Sequence, residues 1–212
     1  MAIAFRLAIF GHHNWEHSEV RIWRETRARV PYQGLEMPAR GLQMSEKEQL
    51  EYVFSPSRVG TLLVAQSAKG LCAILIGSTQ APLIAELKSR FSGATIHKGG
   101  AGLQRDAAKI SQLIDSPRNK TDLPLDIRGT TFQKRVWGAL RKIPTGKTAS
   151  YSDIAKEIKA PKAIRAVAGA CAANALSIII PCHRVVRSDG SLSGYYWGVA
   201  RKRKLLEIEG AR

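Results

Sequence analysis

The chain has 212 residues, 44% of them hydrophobic and 24% charged, enough for one large domain or two small ones with a buried core and unlike a disordered segment. Its 33 Lys+Arg against 17 Asp+Glu leave a formal net charge of +16, an excess that suits a polyanionic partner such as DNA, RNA or an anionic surface. No run of ~18 apolar residues occurs, so no membrane-spanning helix is expected. The N-terminus lacks the basic start and cleavage site of a signal peptide.

Residues 1–45 carry six Lys+Arg and four acids, so most of the positive charge falls in the remainder. Their periodicity is poor, and 1–50 is left as an unassigned segment. His13 and His17 stand four apart, a spacing that can hold metal on a helix, but no third ligand accompanies them and no metal is expected. From Gly60, "GTLLVAQSAKGLCAILIG" reads as two apolar strands around a "SAKG" turn, with Gly70 in the turn conformation. Cys72 falls in the second strand as a small core residue. "APLIAELKSRF" (81–91) and "LQRDAAKISQLI" (103–114) have helical apolar spacing, and "SGATIHKGGAG" between them reads as loop. Two prolines in "DSPRNKTDLPLDIRG" (115–129) mark a connector, and the domain boundary is placed there, giving 51–120 and 121–212.

In the second half, "TTFQKRVWGALRKI" (130–143) sets Phe132, Val136, Trp137, Leu140 and Ile143 on one helical face, with Thr130 or Thr131 as cap and Pro144 and Gly146 as stop. "SYSDIAKEI" (150–158) is a short helix capped by Ser150, and "KAIRAVAGACAAN" (162–174) is a second one rich in Ala and Gly. Two short helices around the "KAPK" turn suit a helix-turn-helix as well as an ordinary helical hairpin. No glycine-rich phosphate loop and no nucleotide site is read.

"IIIPCHRVVRSDG" (178–190) brings an apolar, strand-like run to a proline, a thiol and an imidazole. A free thiol, with a pKa of ~8.5, is mostly protonated at neutral pH. An imidazole that takes its proton, oriented by a carboxylate, makes it a nucleophile. Neighbours on a strand point to opposite sides, so Cys182 and His183 need a turn at Pro181 or a bridging water to cooperate. Asp189, Glu207 and Glu209 are the acids available downstream, and spacing does not choose among them. A structural cysteine beside a surface histidine has the same sequence. The three cysteines, Cys72, Cys171 and Cys182, lack CxxC spacing, which argues against disulfides and a cysteine-based zinc site and points to a reducing compartment, cytoplasm or nucleus.

From about Tyr52 to Glu209 the chain resembles the O6-alkylguanine-DNA alkyltransferases, especially the C-terminal part of their Ada-type bacterial members. The resemblance is carried by "FQKRVWGALRKIPTGKTASYSDIA", "KAIRAVAGACAANALSIIIPCHRVV" and "GSLSGYYWGVARKRKLLEIE", in the family's order. It implies a ribonuclease-H-like α/β N-terminal domain followed by a mostly helical C-terminal domain with a winged-helix-like helix-turn-helix. It implies that Cys182 accepts the alkyl group, that His183 activates it through a water, and that Glu209 orients the histidine. Asn174 shapes the turn before the acceptor, and Arg165 enters the duplex where the flipped base leaves. Tyr151 crowds the target phosphate and can protonate the leaving purine. Tyr195 lines the alkyl pocket, and the carbonyls of Cys182 and Val185 read the guanine amino group. Ala163, Ala166, Ala170 and Ala173 give the recognition helix a small face for the minor groove.

Tyr196 departs from the serine some members have, leaving only its backbone N–H for the guanine O6. No zinc ligand set and no four-cysteine phosphotriester-repair domain is visible. The implied reaction is stoichiometric transfer from O6-methylguanine to Cys182 without a cofactor. The implied partner is double-stranded DNA bound independently of sequence, by a monomer in the cytoplasm, at the nucleoid. The rivals are an alkyltransferase-like lesion sensor, which lacks the acceptor cysteine, a helix-turn-helix regulator reading major-groove edges, and a cysteine hydrolase, which would turn over.

Overall fold

The computed structural model describes residues 47–192 and 194–211, within one compact unit, Ser45–Arg212. His13, His17 and the rest of the first 45 residues lie outside the described residues.

The hairpin around "SAKG" is present: β2 (Gly60–Ser67) and β3 (Gly70–Gly77) pair antiparallel with Ser67 opposite Gly70. Gly70 has φ +131°, and a Cβ there would lie 2.4 Å from the Pro124 carbonyl oxygen, so both backbone angle and space require glycine. Two strands escape the sequence reading. β1 (Gln49–Ser57) pairs antiparallel with β2. β4 (Thr95–Lys98), expected as loop, pairs parallel with β1 and completes the order β3-β2-β1-β4. Pro56 disguises β1, but it lies beyond Gln49–Tyr52, the stretch paired with β4, so its missing N–H costs no bond there. β4 is a short, mostly exposed edge strand, and such strands carry little apolar signal. Helices α1 (Gln80–Arg90) and α2 (Ala101–Asp115) pack on this sheet. α2 buries Leu103, Ala107, Ile110 and Ile114, a helical stripe.

The outer edge of β3 decides where the site sits. Leu71 exchanges backbone bonds with the connector (Leu71 N to Pro124 O and Asp126 N to Leu71 O, both 2.8 Å). Ile74 does the same with the segment before the thiol (Ile74 N to Ala175 O 2.7 Å, Ser177 N to Ile74 O 3.2 Å). The connector and the segment before the thiol thus cover an edge that would otherwise present unpaired amides.

In the helical part, α3 (Thr131–Leu140) starts at a capping box between Thr130 and Gln133, and α4 (Tyr151–Glu157) at one between Ser150 and Asp153. α5 (Ile164–Ala172) follows a turn in which Lys159 has φ +55°. β5 (Ala149–Ser150) pairs parallel with β6 (Val185–Val186), and α6 (Val199–Glu209) closes the described fold. Trp137 joins α3 to α5, its indole N–H donating to the Ala170 carbonyl at 2.8 Å. One hydrophobic core runs through both parts.

The isoleucine run is not the buried strand its composition suggests. Residues 177–179 form a turn, with Ile180 N bonded to Leu176 O at 2.9 Å and Ile178 at φ +74°. A β-branched residue in that region costs ~1–3 kcal/mol, a strain the surrounding bonds must hold.

Candidate active site

Cys182, His183 and Arg184 form one 3-10 turn directly after Pro181. The thiol and the imidazole are therefore not on opposite faces of a strand. Cys182 is 7% exposed and His183 1%. The turn's shape comes from Asn174, just after α5. Its side-chain amide donates to the Ile180 carbonyl at 2.8 Å and to the Cys182 Sγ at 3.3 Å, and its Oδ1 accepts the Leu176 N–H at 2.9 Å. All of its groups are used inside the site, as a buried amide requires.

The open choice among acids is decided by geometry. Glu209 Oε1 lies 2.8 Å from His183 Nε2. Arg184 grips both oxygens of the same carboxylate, from Nε to Oε2 and from a terminal nitrogen to Oε1, each at 2.9 Å. Burial pushes the Glu209 carboxyl up, but the bonds from His183 and Arg184 outweigh it and hold the pKa at about 2. Glu209 is thus a carboxylate, which only accepts, so His183 carries its proton on Nε2. Its Nδ1 is left as a lone pair, buried and without a hydrogen-bond partner. Burial pulls the His183 pKa down, against the pull of Glu209, so the ring rests neutral. Burial raises the Cys182 thiol, against the Asn174 bond and the charge of Lys202, so sulfur rests protonated. A thiol and a neutral imidazole oriented by a fixed carboxylate form a nucleophile held in reserve.

Lys202 is the residue the sequence reading missed. It is 1% exposed, and its ammonium donates to the Val185 carbonyl at 2.5 Å. A carbonyl has two lone pairs, so the Lys202 bond does not by itself exhaust Val185. Burial lowers the Lys202 pKa, and the nearby Cys182 and Cys171 act upward. The signal was available: Lys202, Leu205, Leu206 and Glu209 fall at i, i+3, i+4 and i+7 on α6, two charged residues on the buried stripe of a helix.

Tyr151, Cys171, Cys182, Tyr195 and Tyr196 line a cavity of about 510 Å³. The Tyr195 hydroxyl is buried with no hydrogen bond of ordinary geometry. Arg165 is exposed in the first turn of α5, Ala166 is exposed and Ala163 half-buried. Ala170 corrects the expected small face: it is buried at 2%, under Trp137. The exposed small residues of α5 are Ala166, Ala168, Gly169 and Ala172. Among the described residues, no group of three His, Cys, Asp or Glu side chains is placed to hold a metal ion, and no helix is long and apolar enough to cross a membrane.

Fold and site define a protein with a buried thiol held beside a neutral histidine and a fixed carboxylate, next to a pair of short helices. The family model described as 6-O-methylguanine DNA methyltransferase, DNA binding domain, matches residues 131–211. The chain is 50% identical over 160 residues to the bifunctional transcriptional activator/DNA repair enzyme Ada of Escherichia coli, covering 76% of this chain and 45% of that protein. It is 41% identical over 150 residues to the inducible methylated-DNA–protein-cysteine methyltransferase of Bacillus subtilis, covering 69% and 82%. The structure of Mycobacterium tuberculosis OGT in complex with DNA is similar with a TM-score of 0.60 at 35% identity, covering 76% and 92%. The chain belongs to the methylated-DNA–protein-cysteine methyltransferase family. It spans about half the length of the Ada proteins it matches.

Proposed function

We propose that the protein repairs alkylated DNA by direct reversal, moving the methyl group of O6-methylguanine irreversibly onto Cys182. The observation that carries this reading is the hydrogen-bonded set Asn174–Cys182 and His183–Glu209–Arg184, of which Cys182 opens on the cavity beside α5. A lesion stacked in a duplex is out of reach of a buried sulfur, so the nucleotide must rotate out into that cavity. Arg165, exposed at the start of α5, fills the gap, and the Ala166–Ala172 side lies against the minor groove without long side chains to hold it off. Binding rests on phosphates and the +16 charge, independent of sequence.

His183 takes the thiol proton, through a water. The thiolate attacks the methyl carbon, the S–C bond forms as the C–O6 bond breaks, and the guanine accepts a proton from Tyr151. The Val185 carbonyl, with the Cys182 carbonyl, reads the guanine amino group, and Tyr195 packs on the alkyl group. The product is a thioether with no good leaving group, so each molecule acts once. No cofactor is required. The sheet-bearing part (51–120) is read as ribonuclease-H-like and the helical part (121–212) as a winged-helix-like DNA-binding and acceptor domain. The protein works as a monomer on double-stranded DNA, in a reducing cytoplasm at the nucleoid.

The test is a duplex carrying one radiolabelled O6-methylguanine. Label should move to protein in a one-to-one ratio. Cys182→Ala should abolish transfer while DNA binding is retained. Transfer that survives Cys182→Ala, or repeated turnover, would defeat the reading. A regulator's polar recognition face is not what α5 presents, and a lesion sensor would have no use for an acceptor cysteine with this partner set.

A further inference from the structure

We infer that α1, in the sheet-bearing part, sets which alkyl groups the Cys182 cavity admits, through a clasp in which Glu86 and Arg90 hold Tyr196. The inference rests on the alkyl-transfer reading of the site and adds a selectivity role for a helix that carries none of its chemistry.

Tyr196 is 52% exposed, yet it is fixed from three sides. Its hydroxyl donates to Glu86 Oε1 at 2.6 Å. The Arg90 guanidinium lies 4.9 Å from its ring centroid, a cation–π distance. The Trp197 ring meets it edge-on at 4.7 Å. Arg90 Nε also donates to Glu86 Oε1 at 2.6 Å, one turn away on α1, so tyrosine and arginine share one carboxylate oxygen. Arg90 reaches further, donating to the Ala173 carbonyl at 3.2 Å. Ala173 is the C-cap of α5 and immediately precedes Asn174, whose amide holds the acceptor sulfur.

These contacts join the two walls of the cavity. Tyr195 and Tyr196 form one wall, and Ala168, Cys171 and Ala172 of α5 form the other. The clasp ties the Tyr196 side chain and the end of α5 to the same arginine. With both ends pinned, the gap between the walls is set by the length of the Glu86–Arg90 pair rather than by a free loop. A benzyl group takes up more of that gap than a methyl group, so a clasp that fixes the gap weighs more on benzyl transfer than on methyl transfer. Glu86 and Arg90 are only 24% and 17% exposed, so the pair is partly shielded from water.

The experiment uses the full chain and two substrates: O6-methylguanine in a duplex and O6-benzylguanine as the free base. Second-order rates are measured for the parent, Tyr196→Phe, Glu86→Ala and the double variant. Tyr196→Phe keeps the ring and deletes one partly exposed hydroxyl, so its fold is retained. The benzyl-to-methyl rate ratio should rise about fivefold or more in each single variant, the scale on which pocket fit discriminates small groups. The double variant should rise no further than a single one, because both break the same contact. An unchanged ratio in the single variants, equal losses on both substrates, or additive effects in the double variant would overturn the clasp. Absence of transfer by the parent on both substrates would instead remove the alkyl-transfer reading, and the clasp with it.

Discussion

Cys72 and Cys182 are both buried, one on β3 of the sheet-bearing part and one on the turn after Pro181, and their surroundings could hardly differ more. Burial raises the Cys72 thiol to about 12, with Arg128 acting downward and Asp126 and Glu48 upward, and its S–H donates to the Ala65 carbonyl at 3.5 Å. Around Cys182 an amide donates to the sulfur, a lysine charge stands nearby, and a neutral histidine is the next residue. Burial is common to both and raises both, so burial does not make a nucleophile. The helical part buries Asn174, Ser177, His183 and Lys202 around one thiol, whereas the sheet buries an almost wholly apolar set around the other. One side is built to hold shape and the other to hold a reaction.

The comparison can be broken most sharply at Asn174. Asn174→Ala removes three hydrogen bonds in a buried site and should cost about 4 kcal/mol in urea unfolding, with transfer slowed a hundredfold or more. A variant that loses stability but keeps its rate would remove Asn174 from the chemistry. Gly70→Ala is the counterpart on the sheet. Positive φ and the 2.4 Å approach to Pro124 should cost about 3 kcal/mol, while the folded fraction transfers methyl at the parent rate. A specific loss of rate would show that the connector edge matters to catalysis.

Acid should act mainly on the helical side. Glu209, held at about 2 against an ordinary 4.5, stabilises the fold fully above pH 4.5, and roughly 3 kcal/mol is lost as pH falls toward 2. His183 is held below its ordinary 6.5, so protonation favours the unfolded chain once pH drops under 6.5. Denaturant midpoints should therefore fall in two steps, below pH 6.5 and again below 4.5. Glu48 and Asp126 on Arg128 add to the lower step only. The smallest effect is expected for Lys202→Met. Losing the charge leaves the thiol harder to ionise, so transfer at pH 7 should slow about tenfold and its pH profile should move upward. A profile that stays in place would reduce Lys202 to a prop for the Val185 carbonyl.

Much of the helical part was legible because its signals are local. The caps at Thr130 and Ser150, the apolar face from Val136 to Ile143 and the Ala-rich α5 each lie within a few turns of chain. The Cys182–His183 pair was visible as a candidate. Its acid was chosen only by resemblance until the fold placed Glu209 beside His183. What was missed depends on distant partners. β4 is a strand because β1 lies alongside it, not because "TIHK" has strand periodicity. "IIIP" has strand composition, but Ile180 bonds back to Leu176 and Asn174 holds the Ile180 carbonyl, which curls the run into a turn. Ala170 looked available for DNA because most of α5 is small, but it shares the buried side with Val167 and lies beside Trp137.

The bonds from Ile74 to Ala175 and Ser177 join segments about a hundred residues apart in sequence. Closing such a loop is entropically slow, and it comes after the local helices and hairpins have formed. The carboxylate for His183 arrives on α6, later still in the chain. In kinetic terms the surroundings of Cys182 should be among the last things the polypeptide completes. A partly folded chain carries Cys182 and His183 side by side but lacks the Glu209 carboxylate that fixes the imidazole, so the arrangement depends on the whole unit having closed.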